Sequence, residues 1–382
     1  MGGRAAAGTV SAGIVLARKK RVALRYPYRW VRLSDFDYDL PPELIAQKPL
    51  ADRAASRMLV IYREETRWED RQFRELPEFL KAGDCLVLND SRVFPSRLYG
   101  HRAGVHAIPV GKRNPKQREN LSGRVEVFLL RPVSADGKEW EALVRPGRKM
   151  RTGELVKFDG ALEAEIISRG AYGERTLRFL TNADIFETIE RIGHVPLPPY
   201  IKRSDTAEDH ERYQTVFARE KGSVAAPTAG LHFTPEILDG CRAAGAQIAY
   251  VTLHVGLGTF QPIHTEEIEQ VHLHAERYSI TDGNAAKMNG ARRRVAVGTT
   301  SVRTIESAAR TGTLQAETDL FIHPGFQFER AGALLTNFHL PRTSLLLLVC
   351  AFGGTELMLA AYRHAVDEKY RFYSYGDCML IL

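Results

Sequence analysis

Beyond Leu33 the apolar positions of this chain follow two rhythms. In Val125-Glu126-Val127-Phe128-Leu129-Leu130, and again over 140–144, 155–158, 164–167 and 176–180, apolar and polar side chains alternate between turn residues. Neighbouring side chains of an extended chain point to opposite faces, so this alternation predicts half-buried strands in a small antiparallel barrel. The run from Gly111 to Arg118, rich in Lys, Arg, Asn, Pro and Gln, reads as a flexible basic loop on that barrel. After Val195-Pro196-Leu197-Pro198-Pro199-Tyr200, which cannot be helical, the rhythm changes. Thr234-Pro235-Glu236 caps a helix ending near Gly245, and 247–255 is a strand rich in β-branched residues. A strand over 294–297 precedes a helix over 301–310, and a strand over 334–338 leads through Pro341 into a helix over 343–352. Upstream, Pro41-Pro42-Glu43 starts a short helix, 58–62 is a strand, and 84–88 is a strand running into Asn89-Asp90-Ser91-Arg92.

Strand followed by helix, repeated, predicts an α/β fold with a largely parallel sheet. The predicted organisation is an α/β domain over 33–91 and 183–382, interrupted by an inserted small antiparallel β-barrel domain over 92–182 and preceded by a basic arm, 1–32. That arm is rich in Arg and Ala and free of acids, as transit peptides are. Its cluster Arg18-Lys19-Lys20-Arg21 follows the apolar run instead of preceding it, the wrong order for secretion. A start codon set too far upstream or a disordered basic arm are the competing readings, and the arm is left out of fold reasoning.

Charge sharpens this division. Residues 1–32 carry eight of the basic side chains, so the net charge of +7 becomes −1 over the remainder. Within that remainder, 92–182 has a basic excess of eight, which leaves everything else at −9. A basic module beside an acidic body suits a protein that meets phosphates with one part and a small or cationic ligand with another. At 44% apolar and 26% charged the composition is that of an ordinary globular protein. Cys85, Cys241, Cys350 and Cys378 are too scattered for a zinc knuckle or a disulfide framework, which fits a reducing cytoplasm. His272-Leu273-His274 lacks a third ligand at a sensible spacing, so no metal is expected. No apolar run approaches the ~20 residues of a membrane span.

Ligands of open α/β sheets bind beyond the carboxyl ends of strands. Several loops there are polar and glycine-rich. His254-Val255-Gly256-Leu257-Gly258-Thr259-Phe260 removes Cβ atoms where a backbone must approach a ligand, although it lacks the third glycine of a dinucleotide fingerprint. Gly298-Thr299-Thr300-Ser301-Val302-Arg303 puts hydroxyls and an Arg at a helix start, suited to a carboxylate or ribose, or simply to an N-cap. Asn337-Phe338-His339-Leu340-Pro341 follows the third strand, and Ala226-Pro227-Thr228-Ala229-Gly230-Leu231-His232-Phe233 surrounds one Thr and one His with small residues.

Together with Leu33-Ser34-Asp35-Phe36-Asp37-Tyr38, Val87 to Val93 and Gly193 to Ile201, these strings resemble the S-adenosylmethionine:tRNA ribosyltransferase-isomerase family from about residue 33 to the C-terminus. The resemblance implies an α/β domain with an inserted barrel and a cytoplasmic, metal-free enzyme of queuosine synthesis. It implies S-adenosylmethionine as a ribosyl donor, and as partner a tRNA whose anticodon carries the 7-deazaguanine base preQ1, with no membrane. This chain departs from the family in a longer 105–120 region, in Thr343-Ser344 and in Phe326.

Ribosyl transfer of this kind needs a proton acceptor, an acid for the departing adenine and an anchor for the amino-acid tail. His232 or His254 is expected to transfer protons, and Asp90 to act as acid or to stabilise a cation. Arg303 with the Thr299-Thr300 backbone is expected to hold the methionine carboxylate. Thr228, Gly256, Gly258, Thr259, Asn337 and His339 would complete the donor site, while Arg92, Arg97, Lys112 and Arg113 would meet RNA. A methyltransferase or a non-catalytic RNA-binding module are the alternatives.

Overall fold

Cys85-Leu86-Val87-Leu88 is an unbroken apolar run, and a strand buries such a run only where other elements cover both its faces. In the computed structural model, which describes residues 32–103, 124–159, 162–170, 173–256, 263 and 265–382, it lies inside a nine-stranded sheet. The strands are β1 Arg57–Tyr62, β2 Arg67–Gln72, β3 Asp84–Asn89, β4 Ser91–Val93, β5 Arg97–Arg102, β6 Arg124–Pro132, β7 Glu139–Arg145, β8 Leu155–Phe158 and β9 Glu163–Arg169. They continue with β10 Glu174–Phe179, β11 Glu220–Ser223, β12 Gln247–Leu253, β13 Glu276–Ser279, β14 Arg293–Val297, β15 Gln315–Thr318, β16 Ala333–Asn337 and β17 Cys378–Ile381.

The sheet order is β15-β13-β12-β3-β14-β16-β17-β1-β2. The central strands β12, β3, β14 and β16 are parallel to one another. Outside them only β1 and β17 pair in parallel, and the other flanking pairs are antiparallel. The expected parallel sheet is therefore mixed, with its parallel part in the middle, where the carboxyl ends of four strands share one edge. Alternation along β3 splits the core: Cys85 and Val87 pack with the helices Thr299–Thr311, Ser344–Gly353 and Thr355–Asp367, while Leu86 and Leu88 pack with Phe73, Phe233 and the helix Pro235–Ala243.

Strands β5 to β10 close a barrel in the order β10-β7-β6-β5-β8-β9, antiparallel throughout. Val125, Val127, Ala142, Val144, Ala164, Ile166 and Leu177, the apolar halves of the alternating segments, fill it. Strand β5, Arg97-Leu98-Tyr99-Gly100-His101-Arg102, lacks that signature and is absent from the sequence-based prediction. Gly100 is required there, because a Cβ would stand 2.5 Å from the Lys157 carbonyl oxygen of β8. No single helix among the described residues is long and apolar enough to cross a membrane.

Candidate active site

Strand β14 ends at Val297, and Gly298 turns the chain with φ +84° into the helix Thr299–Thr311, which has no side-chain N-cap. Only glycine adopts that conformation readily, and an uncapped helix start leaves backbone N–H groups facing outward. Next to it β16 ends in Asn337, and the short helix Thr228–His232 lies across the gap. Thr228, Thr299, Thr300, Asn337 and His339 thus line one cleft of about 570 Å³, with Tyr200, Val255, Leu345, Tyr373 and Ser374.

Within this cleft Asn337 has one orientation. Its Nδ2 donates toward His232 Nε2 at 3.2 Å, the Tyr373 carbonyl at 3.1 Å and the Asp377 carbonyl at 3.3 Å. Flipping the amide would set its oxygen against those acceptors, so Oδ1 stays on the other side, where it has no hydrogen-bond partner although the residue is 2% exposed. Thr300 Oγ1 is buried without a partner as well. Buried polar atoms left unpaired cost about 1–3 kcal/mol each, which a bound ligand can recover.

His232 does not line the cleft; it stands behind Asn337. Because Nε2 accepts from the amide, the ring proton sits on Nδ1 and is donated to Ser56 Oγ at 2.8 Å. Burial, then the charges of Arg371 and Arg53, push its pKa down to about 3. Both nitrogens are occupied, so the expected proton-transfer role finds no free lone pair here. His339 is also held neutral, with a pKa of about 3 from burial, and its Nε2 meets Thr336 Oγ1 at 2.9 Å.

A second cleft, of about 1540 Å³, lies between the barrel and the sheet, and Val255 lines both it and the first. Leu130, Leu143 and Arg175 of the barrel form one wall, and Gly222, His254, Gly256 and Arg277 the other. His254 Nδ1 is buried and has no partner. Gly222, at φ +131°, faces this ring, and a Cβ there would stand 3.1 Å from Nδ1. Burial, then Arg277, lowers the His254 pKa, while nearby Asp90 opposes the shift. Asp90 itself is buried: its Oδ2 accepts from Arg219 at 2.7 Å and its Oδ1 from Thr252 Oγ1 at 2.7 Å.

Arg303 lies elsewhere. It is 7% exposed, its Nη1 is bonded to Glu276, and Nε and Nη2 donate to the Leu320 and Thr318 carbonyls. It borders a separate small cleft with Glu276 and Leu348, so the guanidinium expected to hold a carboxylate is already paired. Glu276, which sequence reading missed, accepts from the Gly256 N–H at 2.7 Å with its other oxygen and so ties the glycine loop to the helix Thr299–Thr311. Arg97 is likewise engaged, by Glu126 at 3.2 Å and the Leu197 carbonyl at 3.2 Å, whereas Arg92 is half-buried on β4 beside Lys221 of β11. Gly258, Thr259, Lys112 and Arg113 lie outside the described residues. Tyr373 and Ser374 were also missed; the only local signal is the turn sequence Tyr373-Ser374-Tyr375-Gly376, with Tyr373 at φ +75°. Among the described residues no cluster of His, Cys, Asp and Glu could hold a metal ion.

Residues 33–381 match the family model described as queuosine biosynthesis protein. The protein of Solibacter usitatus named S-adenosylmethionine:tRNA ribosyltransferase-isomerase is 71% identical, over 92% of this chain and 100% of its own length. Its namesake from Symbiobacterium thermophilum is 49% identical, over 92% and 100%. The crystal structure of S-adenosylmethionine tRNA ribosyltransferase from Thermotoga maritima is 38% identical, covers 91% of this chain and 100% of its own, and superposes with a TM-score of 0.49. The chain belongs to the queuosine biosynthesis protein family.

Proposed function

We propose that this chain transfers and isomerises the ribosyl moiety of S-adenosylmethionine onto the 7-aminomethyl-7-deazaguanine base (preQ1) at the wobble position of a tRNA, giving epoxyqueuosine-tRNA, adenine and methionine. The setting is the cytoplasm, with S-adenosylmethionine as co-substrate and the preQ1-bearing anticodon loop as partner. One observation carries the reading: a narrow cleft with unpaired buried acceptors and an uncapped helix start shares Val255 as a lining residue with a wide cleft lined by His254, whose Nδ1 is unpaired.

The narrow cleft fits the methionyl tail. Its carboxylate takes the N–H groups at the start of the helix Thr299–Thr311, where the helix dipole also favours an anion. Its ammonium meets Asn337 Oδ1, and Thr300 Oγ1 and Thr228 complete the contact. Arg303 then serves indirectly, by holding Glu276 and through it Gly256. The donor's sulfonium acidifies the neighbouring C5′ hydrogens, which opens the sugar once a base removes one of them and lets adenine leave. His254, which lines the wide cleft and whose Nδ1 is unpaired, is the acceptor for that proton. Asp90, bonded to Arg219 and Thr252, lies near enough to favour the cation that His254 becomes. The RNA base enters the wide cleft under the barrel, and Arg92, Lys112 and Arg113 contact the RNA.

Incubation with S-adenosylmethionine and preQ1-bearing tRNA tests the reading. Stoichiometric adenine and methionine support it. Production of S-adenosylhomocysteine would identify a methyltransferase instead, and RNA binding without donor consumption a non-catalytic module.

A further inference from the structure

On the barrel, the turn between β7 and β8 reads Arg145-Pro146-Gly147-Arg148-Lys149-Met150-Arg151, with no acid before the buried Glu154. Arg145, Arg148, Lys149 and Arg151 are all exposed. We propose that this turn is a phosphate-gripping surface for the RNA backbone, additional to Arg92, Lys112 and Arg113; the inference rests on the reading that the protein acts on tRNA.

Two observations set the turn apart from ordinary solvated charge. The first is its lack of compensation. Five other cations of the barrel are neutralised at close range: Arg97 by Glu126, Arg102 by Glu154, Arg131 by Glu141, Lys157 by Glu163 and Arg178 by Glu139. Arg145, Arg148 and Arg151 have no carboxylate within ion-pair distance among the described residues. Like charges crowded into one turn repel each other in the free protein, and an anionic partner removes that cost.

The second observation is that the turn is pinned. Arg175, only 3% exposed, donates to the Gly147 carbonyl at 2.5 Å and to the Met150 carbonyl at 3.0 Å. A backbone held in this way presents its cations in one arrangement, so less side-chain and loop entropy is lost on binding. Arg175 and Leu143 also line the wide cleft that His254 lines, so the turn is tied through Arg175 to the wall of the cleft assigned to the RNA base. Phosphate contacts of this kind fix register and orientation without reading sequence. A nucleotide presented to His254 would have its flanking backbone within reach of this turn.

The test compares the intact wild-type chain with a variant carrying Arg145→Ala, Arg148→Ala, Lys149→Ala and Arg151→Ala, using unmodified tRNA over a series of salt concentrations. Each phosphate contact contributes about 0.7–0.9 to the slope of log affinity against log salt, so the slope is expected to shallow by about 3 and affinity near physiological salt to fall roughly hundredfold. S-adenosylmethionine affinity and thermal stability are expected to stay at wild-type values, which separates lost contacts from lost fold. A wild type that binds tRNA with a steep slope, and a variant that keeps that slope, would overturn the assignment of this turn alone. A wild type that does not bind tRNA would overturn it together with the reading on which it rests.

Discussion

The side-chain amide of Asn337 donates to Nε2 of His232 across 3.2 Å, and this bond decides what each residue is able to do. The imidazole cannot take a proton from substrate, and the amide cannot rotate its oxygen out of the cleft. His232 is thereby a positioning residue for Asn337. Its replacement by Ala is expected to raise the KM for S-adenosylmethionine about 10–100-fold, the range of one lost charge-assisted hydrogen bond, with kcat and its pH profile little changed. Asn337→Ala is expected to abolish the preference for methionine over its 2-hydroxy analogue as a product inhibitor. Steady-state kinetics of the two variants checks this, and a His232→Ala enzyme with collapsed kcat and a displaced pH profile would restore the proton-transfer role.

Acid stability follows from the same burial. In the folded chain His232 and His339 accept a proton only near pH 3, against 6.5 for the free side chain. Between those values the unfolded chain binds more protons than the folded one. Stability is therefore full above 6.5 and falls as pH drops toward 3, by up to about 1.4 kcal/mol per pH unit for each histidine. Melting temperatures across that window are expected to fall less steeply for His339→Gln than for wild type. Identical slopes would show that His339 is not the buried neutral group described here.

His254 is expected to behave differently from His232. His254→Ala should lower kcat/KM by about 10²–10⁴ while leaving donor affinity nearly unchanged, as for a lost general base. Since burial and Arg277 hold its pKa below the usual imidazole value, the acid limb of the wild-type kcat/KM profile is expected below about pH 6.5. Gly222→Ala, which combines a strained φ with crowding of the ring, should mimic the loss in part. Undiminished single-turnover adenine release by His254→Ala would assign the base elsewhere.

The Glu276–Arg303 pair has side chains 4% and 8% exposed, so removing one partner leaves a buried charge uncompensated. Glu276→Ala is expected to destabilise the fold by about 3–5 kcal/mol in urea unfolding and, by releasing the Gly256 N–H, to weaken donor binding. A loss below about 1 kcal/mol would mean that solvent reaches Arg303 and that the pair does not organise the loop.

How much of this was legible depended on how local the signal was. The filling of the barrel was readable because alternation in 125–130 or 164–167 is a property of a few adjacent residues, while β5 escaped because its Gly100 answers to a backbone on another strand. The meeting of Thr299, Asn337 and His339 in one cleft was anticipated for a physical reason: parallel central strands deliver their following loops to one edge. The Glu276 partner of Arg303 was not legible because an Arg near a helix start looks the same whether it faces a ligand or a carboxylate 27 residues upstream.

By itself, then, the sequence determined the α/β layer, the inserted barrel and the polar loops that carry the candidate chemistry, since all of these arise from short-range periodicity and turn composition. Tertiary structure alone decided that β17, at the far end of the chain, would enter the sheet between β16 and β1, and that Glu276 would bind Arg303. It also set His232 behind Asn337 and left His254 lining the wide cleft. Which nitrogen is occupied and which charge is cancelled depend on partners brought together by folding, and no local pattern in the chain encodes them.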